Sequence, residues 1–191
     1  VDHPFFDHVG PIAFAHRGGY EVASENSLEA FQHAVGLGFR YLETDVQATR
    51  DGVLAVFHDP TLDRLTGRTG RIADLDWADL AGLRLQGGER IPRLEDLLTA
   101  FPEARINIDP KSDRAAALLL PALQTNRALD RVCLGAFSDR RLDRLRRDGG
   151  PSLATSMGPR DVARLASASI FLPAGGFRAH CAQVPMRWAT V

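Results

Sequence analysis

Short apolar runs that stop at polar residues alternate along the chain with amphipathic stretches of helical period. Ile12 to Ala15 is an apolar run that ends in His16-Arg17-Gly18-Gly19, the pattern of a buried strand followed by a tight turn. Asn26 to Gly38 carries an apolar stripe of Leu28, Phe31, Ala34 and Val35. Asn26 with Glu29 reads as a capping box, and Gly36 and Gly38 end the helix. Phe39 to Val46 predicts the next strand, Asp51-Gly52 a hairpin turn, and Val53 to Phe57 the returning strand. Leu62 to Pro92 is loop-rich, with one short helix near Trp77 to Leu83, and Trp77 reads as a core residue in preference to the lining of a hydrophobic mouth. Further on the pattern predicts a helix at Leu94 to Ala100 and a strand at Arg105 to Ile108. Arg114 to Arg127 is a helix, kinked or restarted at Pro121. A strand at Val132 to Phe137, a helix at Asp139 to Arg147 and a short strand at Leu153 to Ser156 follow, then a helix at Arg160 to Ala168 and a strand at Cys181 to Val184. Strand–helix alternation with a single hairpin predicts an α/β fold on a mainly parallel sheet, open or closed. With no repeat and no linker, residues 1–191 read as one domain.

The 191 residues, 45% hydrophobic, suffice for a real core. A formal net charge of −1 excludes a nucleic-acid binder that works by bulk charge. No apolar run approaches the roughly 20 residues that span a bilayer. Val1 to Gly10 lacks the basic start and apolar stretch of a signal peptide, so a cytoplasmic location is the default. A leader removed earlier stays open, because the sequence begins with Val1. The two cysteines, Cys133 and Cys181, lie far apart in sequence and read as small buried hydrophobes. Of the 23 basic residues all but Lys111 are arginine, which singles that lysine out.

The polar residues fall where strands end, the place at which catalytic groups gather in such folds. His16 and Arg17 follow the first strand, Glu43 and Asp45 close the second, His58 and Asp59 follow the hairpin strand, and Asp109 and Lys111 close the next. Residues two apart on a strand share a face, so Glu43 projects with Asp45 and Asp109 with Lys111. Three carboxylates on one rim would repel one another and suit a hard divalent cation. A cation, Arg17 and Lys111 together suit a phosphate ester. Two histidines can then serve as base and acid across the phosphorus.

The ordered motifs resemble the glycerophosphodiester phosphodiesterase family. They are His16-Arg17-Gly18, Glu25-Asn26-Ser27, Glu43-Thr44-Asp45-Val46, Thr49-Arg50-Asp51-Gly52 and His58-Asp59. Leu62-Asp63-Arg64-Leu65-Thr66, Gly70, Ile91-Pro92-Arg93-Leu94-Glu95 and Asn107-Ile108-Asp109-Pro110-Lys111 continue the series. The resemblance is strong from Ala13 to Lys111 and collinear to Pro185. It implies a (β/α)8 TIM barrel that hydrolyses glycerophosphodiesters to glycerol 3-phosphate and an alcohol, with one Ca²⁺ or Mg²⁺ ion. His16 and His58 then correspond to the acid/base pair, Glu43, Asp45 and Asp109 to metal ligands, and Arg17 and Lys111 to phosphate contacts. Asn26 is a supporting residue, and Glu25 orients Arg17 by a salt bridge or touches substrate.

This sequence departs from the family in three places. Asp109 stands where the family has a glutamate, with Pro110 inside the motif, and Ser27 replaces a threonine. After Gln183-Val184-Pro185 the Trp-Thr-Val-Asn-like strand and the Thr-Asp-x-Pro-like strand do not appear before Val191. The expected barrel is therefore truncated after about six strands, where a complete one needs about 250 residues. Such an open barrel exposes apolar edges, and a swapped homodimer is one way to cover them. Two other readings stay open: a phospholipase D-like lyase that forms cyclic phosphates, and a catalytically impaired remnant or binding module. The lyases carry a disulfide-closed catalytic loop, and no cysteine lies near His58 in sequence.

Overall fold

A computed structural model describes residues 3–168 and 176–183. The expected strand end at Val184 and the rest of the Gln183-Val184-Pro185 motif lie outside the described residues. The elements run β1 (Phe14–His16), α1 (Leu28–Gly36), β2 (Tyr41–Ala48), β3 (Leu54–Val56), α2 (Asp63–Thr66), α3 (Trp77–Ala81), α4 (Leu94–Ala100), β4 (Arg105–Pro110), α5 (Asp113–Thr125), β5 (Val132–Leu134), α6 (Asp139–Gly149) and α7 (Pro159–Ala168).

β1, β2, β4 and β5 form a parallel sheet in that order, and β3 returns antiparallel on β2. Beyond β5 the parallel arc continues by single bridges, Leu134 to Thr155 and then Ser156 to Cys181. The expected strand at Leu153 to Ser156 is thus cut down to a bridge on each side. Among the described residues five helical crossovers joining parallel positions make the α/β architecture of a (β/α)8 barrel arc with six strand positions.

Alternation along the strands divides the apolar residues into two layers. Ala15, Leu42, Val46, Ile106, Ile108, Val132 and Leu134 face outward onto the stripes of α1, α4, α5 and α6, which form the main core. Tyr41, Cys133 and Ala154 face inward, where a 3₁₀ turn at Pro4–Phe6 plugs the lower end with the fully buried Phe5. The Tyr41 hydroxyl donates to the Phe5 carbonyl at 2.8 Å. The segment after β3 builds its own small core from Phe57, Leu62, Leu65, Ile72, Leu80, Leu85 and Ile91, with Trp77 packed against it. That core stabilises α2, a helical turn that the polar spacing of the loop did not reveal.

Two local expectations are corrected. Ser27, not Asn26, caps α1, its hydroxyl accepting from the Ala30 amide. Asn26 has φ +61°, a left-handed conformation that turns its side chain away from the helix. α5 passes through Pro121 without restarting, held by buried Leu119, Leu120 and Leu123 on either side. Among the described residues no helix is long and apolar enough to cross a membrane.

Candidate active site

Every residue of β2 is buried, and its upper edge organises the site. The β1 pairing ends at His16 opposite Glu43, and the Arg17 amide donates to the Glu43 carbonyl. Two residues higher on the same edge, the Phe57 amide donates to the Asp45 carbonyl. The chain segments that bear His16 and His58 therefore hang side by side from one strand. On the other edge Asp45 is in register with Asp109 of β4. The turn after His16 presses against the start of α1: a Cβ on Gly18, which has φ +75°, would lie 2.8 Å from the Phe31 nitrogen. Only glycine fits this turn without a shift.

All the predicted site residues except Asn26 meet at this rim by their charged or ring groups. Asn26 reaches it from below, donating to Asp45 Oδ2 at 3.2 Å and accepting from Thr44 at 2.8 Å. Ion pairs run unbroken from one side to the other. His58 Nδ1 lies 2.6 Å from Asp59 Oδ1, and Arg64 bridges Asp59 to Glu25, at 2.6 Å each. Glu25 takes Arg17 at 3.0 Å, and Arg17 Nε lies 3.0 Å from Asp45 without hydrogen-bond alignment. Lys111 Nζ then stands 2.7 Å from both Asp45 and Asp109. His16 Nε2 faces Glu43 at 3.7 Å.

The electrostatics follow from burial opposed by pairing. Burial first, and the Asp45 charge second, push the Glu43 carboxyl up to about 8. Burial likewise raises Asp109, although Lys111 opposes it. Lys111 is itself raised: burial works against its charge, but Asp109 and Asp45 outweigh it. Burial also works against the Glu25 charge, yet Arg64 and Arg17 hold it below the ordinary range. Arg64, chiefly, holds Asp59 down. The His16 ring is 68% exposed, and its pKa is lowered by the desolvation of its inner side and by Arg17.

Five carboxylates at the rim face three permanent cations; with the Glu43 carboxyl pushed up to about 8 and so mostly protonated at neutral pH, the surplus there is one negative charge. Asp109 Oδ1 and both amide atoms of Asn107 are buried without a hydrogen-bond partner. Hard oxygen donors, surplus negative charge and orphaned polar atoms fit a divalent cation. No ready-made cage exists, however: among the described residues no three His, Cys, Asp or Glu side chains are grouped closely enough to hold an ion. The Lys111 ammonium supplies the charge between Asp45 and Asp109.

Sequence reasoning gives no role to Arg64, Asp59 or Asn107. Arg64 and Asp59 stand inside quoted motifs, but only the fold shows that Arg64 ties the hairpin segment to the loop before α1. Asn107 was findable, since alternation puts it on the inner face with Asp109. Phe137, 88% exposed, lies with its ring 5.9 Å from Lys111 Nζ at the mouth.

Comparison with known proteins gives a consistent result. The family model described as "Glycerophosphoryl diester phosphodiesterase family" matches residues 16–158. A relative from Mycobacterium tuberculosis named "Probable glycerophosphodiester phosphodiesterase 2" is 45% identical over 155 residues, covering 81% of this chain and 59% of the relative. The chain thus spans under two thirds of that protein's length. A glycerophosphodiester phosphodiesterase from Agrobacterium tumefaciens superposes with TM-score 0.71 at 28% identity, over 78% of this chain and 67% of that one. A phosphodiesterase from Oleispira antarctica, in complex with the product sn-glycerol-3-phosphate, superposes with TM-score 0.70 at 25% identity, over 76% and 65%.

Proposed function

The chain belongs to the glycerophosphoryl diester phosphodiesterase family, and on that premise we propose that its rim hydrolyses glycerophosphodiesters to glycerol 3-phosphate and an alcohol. The observation that carries the reading is the convergence of His16, His58, Arg17 and Lys111 on one rim beside three carboxylates. The product bound by the Oleispira antarctica phosphodiesterase supports the same small-molecule class.

Arg17 and Lys111 bind the phosphodiester, the guanidinium through paired donors and the ammonium as a point charge. His16, kept neutral by its surroundings, accepts the proton of the nucleophile, which is water, or the substrate's glycerol hydroxyl with water then opening the cyclic phosphate. His58 protonates the leaving alkoxide from Nε2, because Asp59 occupies Nδ1. Asp59 holds the His58 ring in place through Nδ1, and Arg64 fixes Asp59. Glu43, Asp45 and Asp109 would hold one Ca²⁺ or Mg²⁺ ion, which when bound polarises the phosphoryl oxygens. Glu25 acts by holding Arg17, not by touching substrate.

The lyase reading loses ground, because Cys133 and Cys181 face each other at the inner cluster of Phe5, Tyr41 and Ala154. The test is release of glycerol 3-phosphate from glycerophosphocholine by the purified chain, with and without EDTA. Turnover that EDTA abolishes supports the proposal, and a cyclic phosphate as sole product replaces it with the lyase. Cation binding without turnover, where a chain extended by two βα units does turn over, supports the remnant reading.

A further inference from the structure

Cys133 and Cys181 are 48 residues apart in the chain, yet their Sγ atoms lie 3.8 Å apart. Neither is bonded to another cysteine, and the sequence contains no third. Cys133 sits on the inner face of β5, fully buried among Phe5, Tyr41 and Ala154. Cys181 belongs to the last described position of the arc, bridged to Ser156, and is half-buried. The two sulfurs thus reach toward each other past the intervening position of Ala154. Nothing in the phosphodiesterase reading uses them.

We propose that Cys133 and Cys181 are an oxidisable pair that closes to an intramolecular disulfide on meeting a small-molecule disulfide. The accessible Cys181 attacks first. Its thiolate displaces one thiolate from the small disulfide and forms a mixed disulfide. The Cys133 sulfur then attacks Cys181 Sγ, displaces the second small thiolate and completes the bond. Two protein thiols are oxidised, one small disulfide is reduced to two thiols, and the two protein protons end on the released thiolates. The order matches the environment of each sulfur. The contact between the sulfurs, together with burial, raises Cys133, whereas the same contact lowers Cys181. Closing the bond requires the sulfurs to approach by roughly 1.8 Å, to the ordinary length of about 2.05 Å. Among the described residues the Cys181 segment is joined to the neighbouring position by one bridge, with the Met157 amide donating to the Cys181 carbonyl and the His180 amide to that of Thr155, so the approach requires side-chain rotation together with backbone movement of that segment. The closed bond would fasten the end of the arc to β5.

The experiment treats the folded chain with oxidised glutathione and reads intact mass, a peptide map and the melting temperature. The expected wild-type product has lost two hydrogens and carries no glutathione. Its 133 and 181 peptides are joined, its melting temperature is raised, and dithiothreitol reverses all three. Cys133→Ser is expected to stop with one glutathione on Cys181. Should that variant fail to fold, the wild-type peptide map decides alone. Thiols that stay free in the wild type, a stable glutathione adduct on it, or disulfides only between chains would each overturn the proposal. None of these readouts depends on catalytic activity.

Discussion

Asp59 Oδ1 stands 2.6 Å from Nδ1 of His58. An ionised carboxylate only accepts, so the proton on that side belongs to the imidazole, and in the proposed reaction it is Nε2 that exchanges with substrate. Asp59→Asn keeps the shape and removes the charge. We expect kcat to fall by about 10- to 100-fold with little change in KM, while His16→Ala and His58→Ala each cost about 10² or more. Steady-state kinetics on glycerophosphocholine check this. A wild-type kcat in Asp59→Asn would leave the carboxylate a purely structural role.

Lys111 holds two carboxylates, one of them fully buried, so its charge carries the local balance. Lys111→Met leaves both without their nearest cation and should cost about 3 kcal/mol, measured by urea unfolding. Lys111→Arg retains the charge but replaces a point donor with a planar fork. It should recover most of the stability and little of the activity. Unchanged activity in Lys111→Arg would return the lone lysine to chance.

Glu43 ionises near 4.5 when unfolded and at about 8 in the fold. Between those values the folded state binds more protons, so this group lowers stability as pH rises from 4.5 to 8 and adds no slope above. Glu25 and Asp59, whose folded pKa values are depressed, contribute stability above their unfolded values and lose it in acid. Melting temperatures in EDTA should therefore peak at about pH 5 and decline toward 8. Ca²⁺ should flatten that decline by favouring the ionised carboxylates, and Glu43→Gln should remove most of it without metal. A decline that persists unchanged in Glu43→Gln would assign it to other groups.

Asn26 combines a left-handed backbone with two buried side-chain hydrogen bonds. Asn26→Ala should lose about 2–3 kcal/mol, since it strands Thr44 and Asp45 donors and acceptors and strains the backbone. Asn26→Gly relieves the strain and should recover part of that loss. Equal losses would show that hydrogen bonding alone sets the cost.

The strand and helix order was legible because each element carries its own period: the stripe of α1, the hairpin at Asp51-Gly52, the alternating β4. The rim was legible too, since alternation puts Glu43 with Asp45 and Asp109 with Lys111. What escaped depends on contacts between distant segments. Asn26 has the composition of a helix cap, and only its backbone angle diverts it to Asp45. Arg64 is one arginine among 22, and its value comes from reaching Glu25 and Asp59 at once. Cys133 and Cys181 look unrelated until the arc curves and brings their sulfurs together.

The two histidine-bearing segments share one edge of β2, donating to carbonyls two residues apart, at Glu43 and Asp45. Their separation is thus ruled by strand rise, about 6.7 Å for two residues. The gauge of the cleft is a backbone dimension that side-chain drift cannot alter. Strand register, moreover, slips only in whole residues, and a one-residue slip would turn the acidic face of β2 outward. Loops around the mouth are consequently free to diversify, while the span between the two histidine-bearing segments stays fixed by the strand.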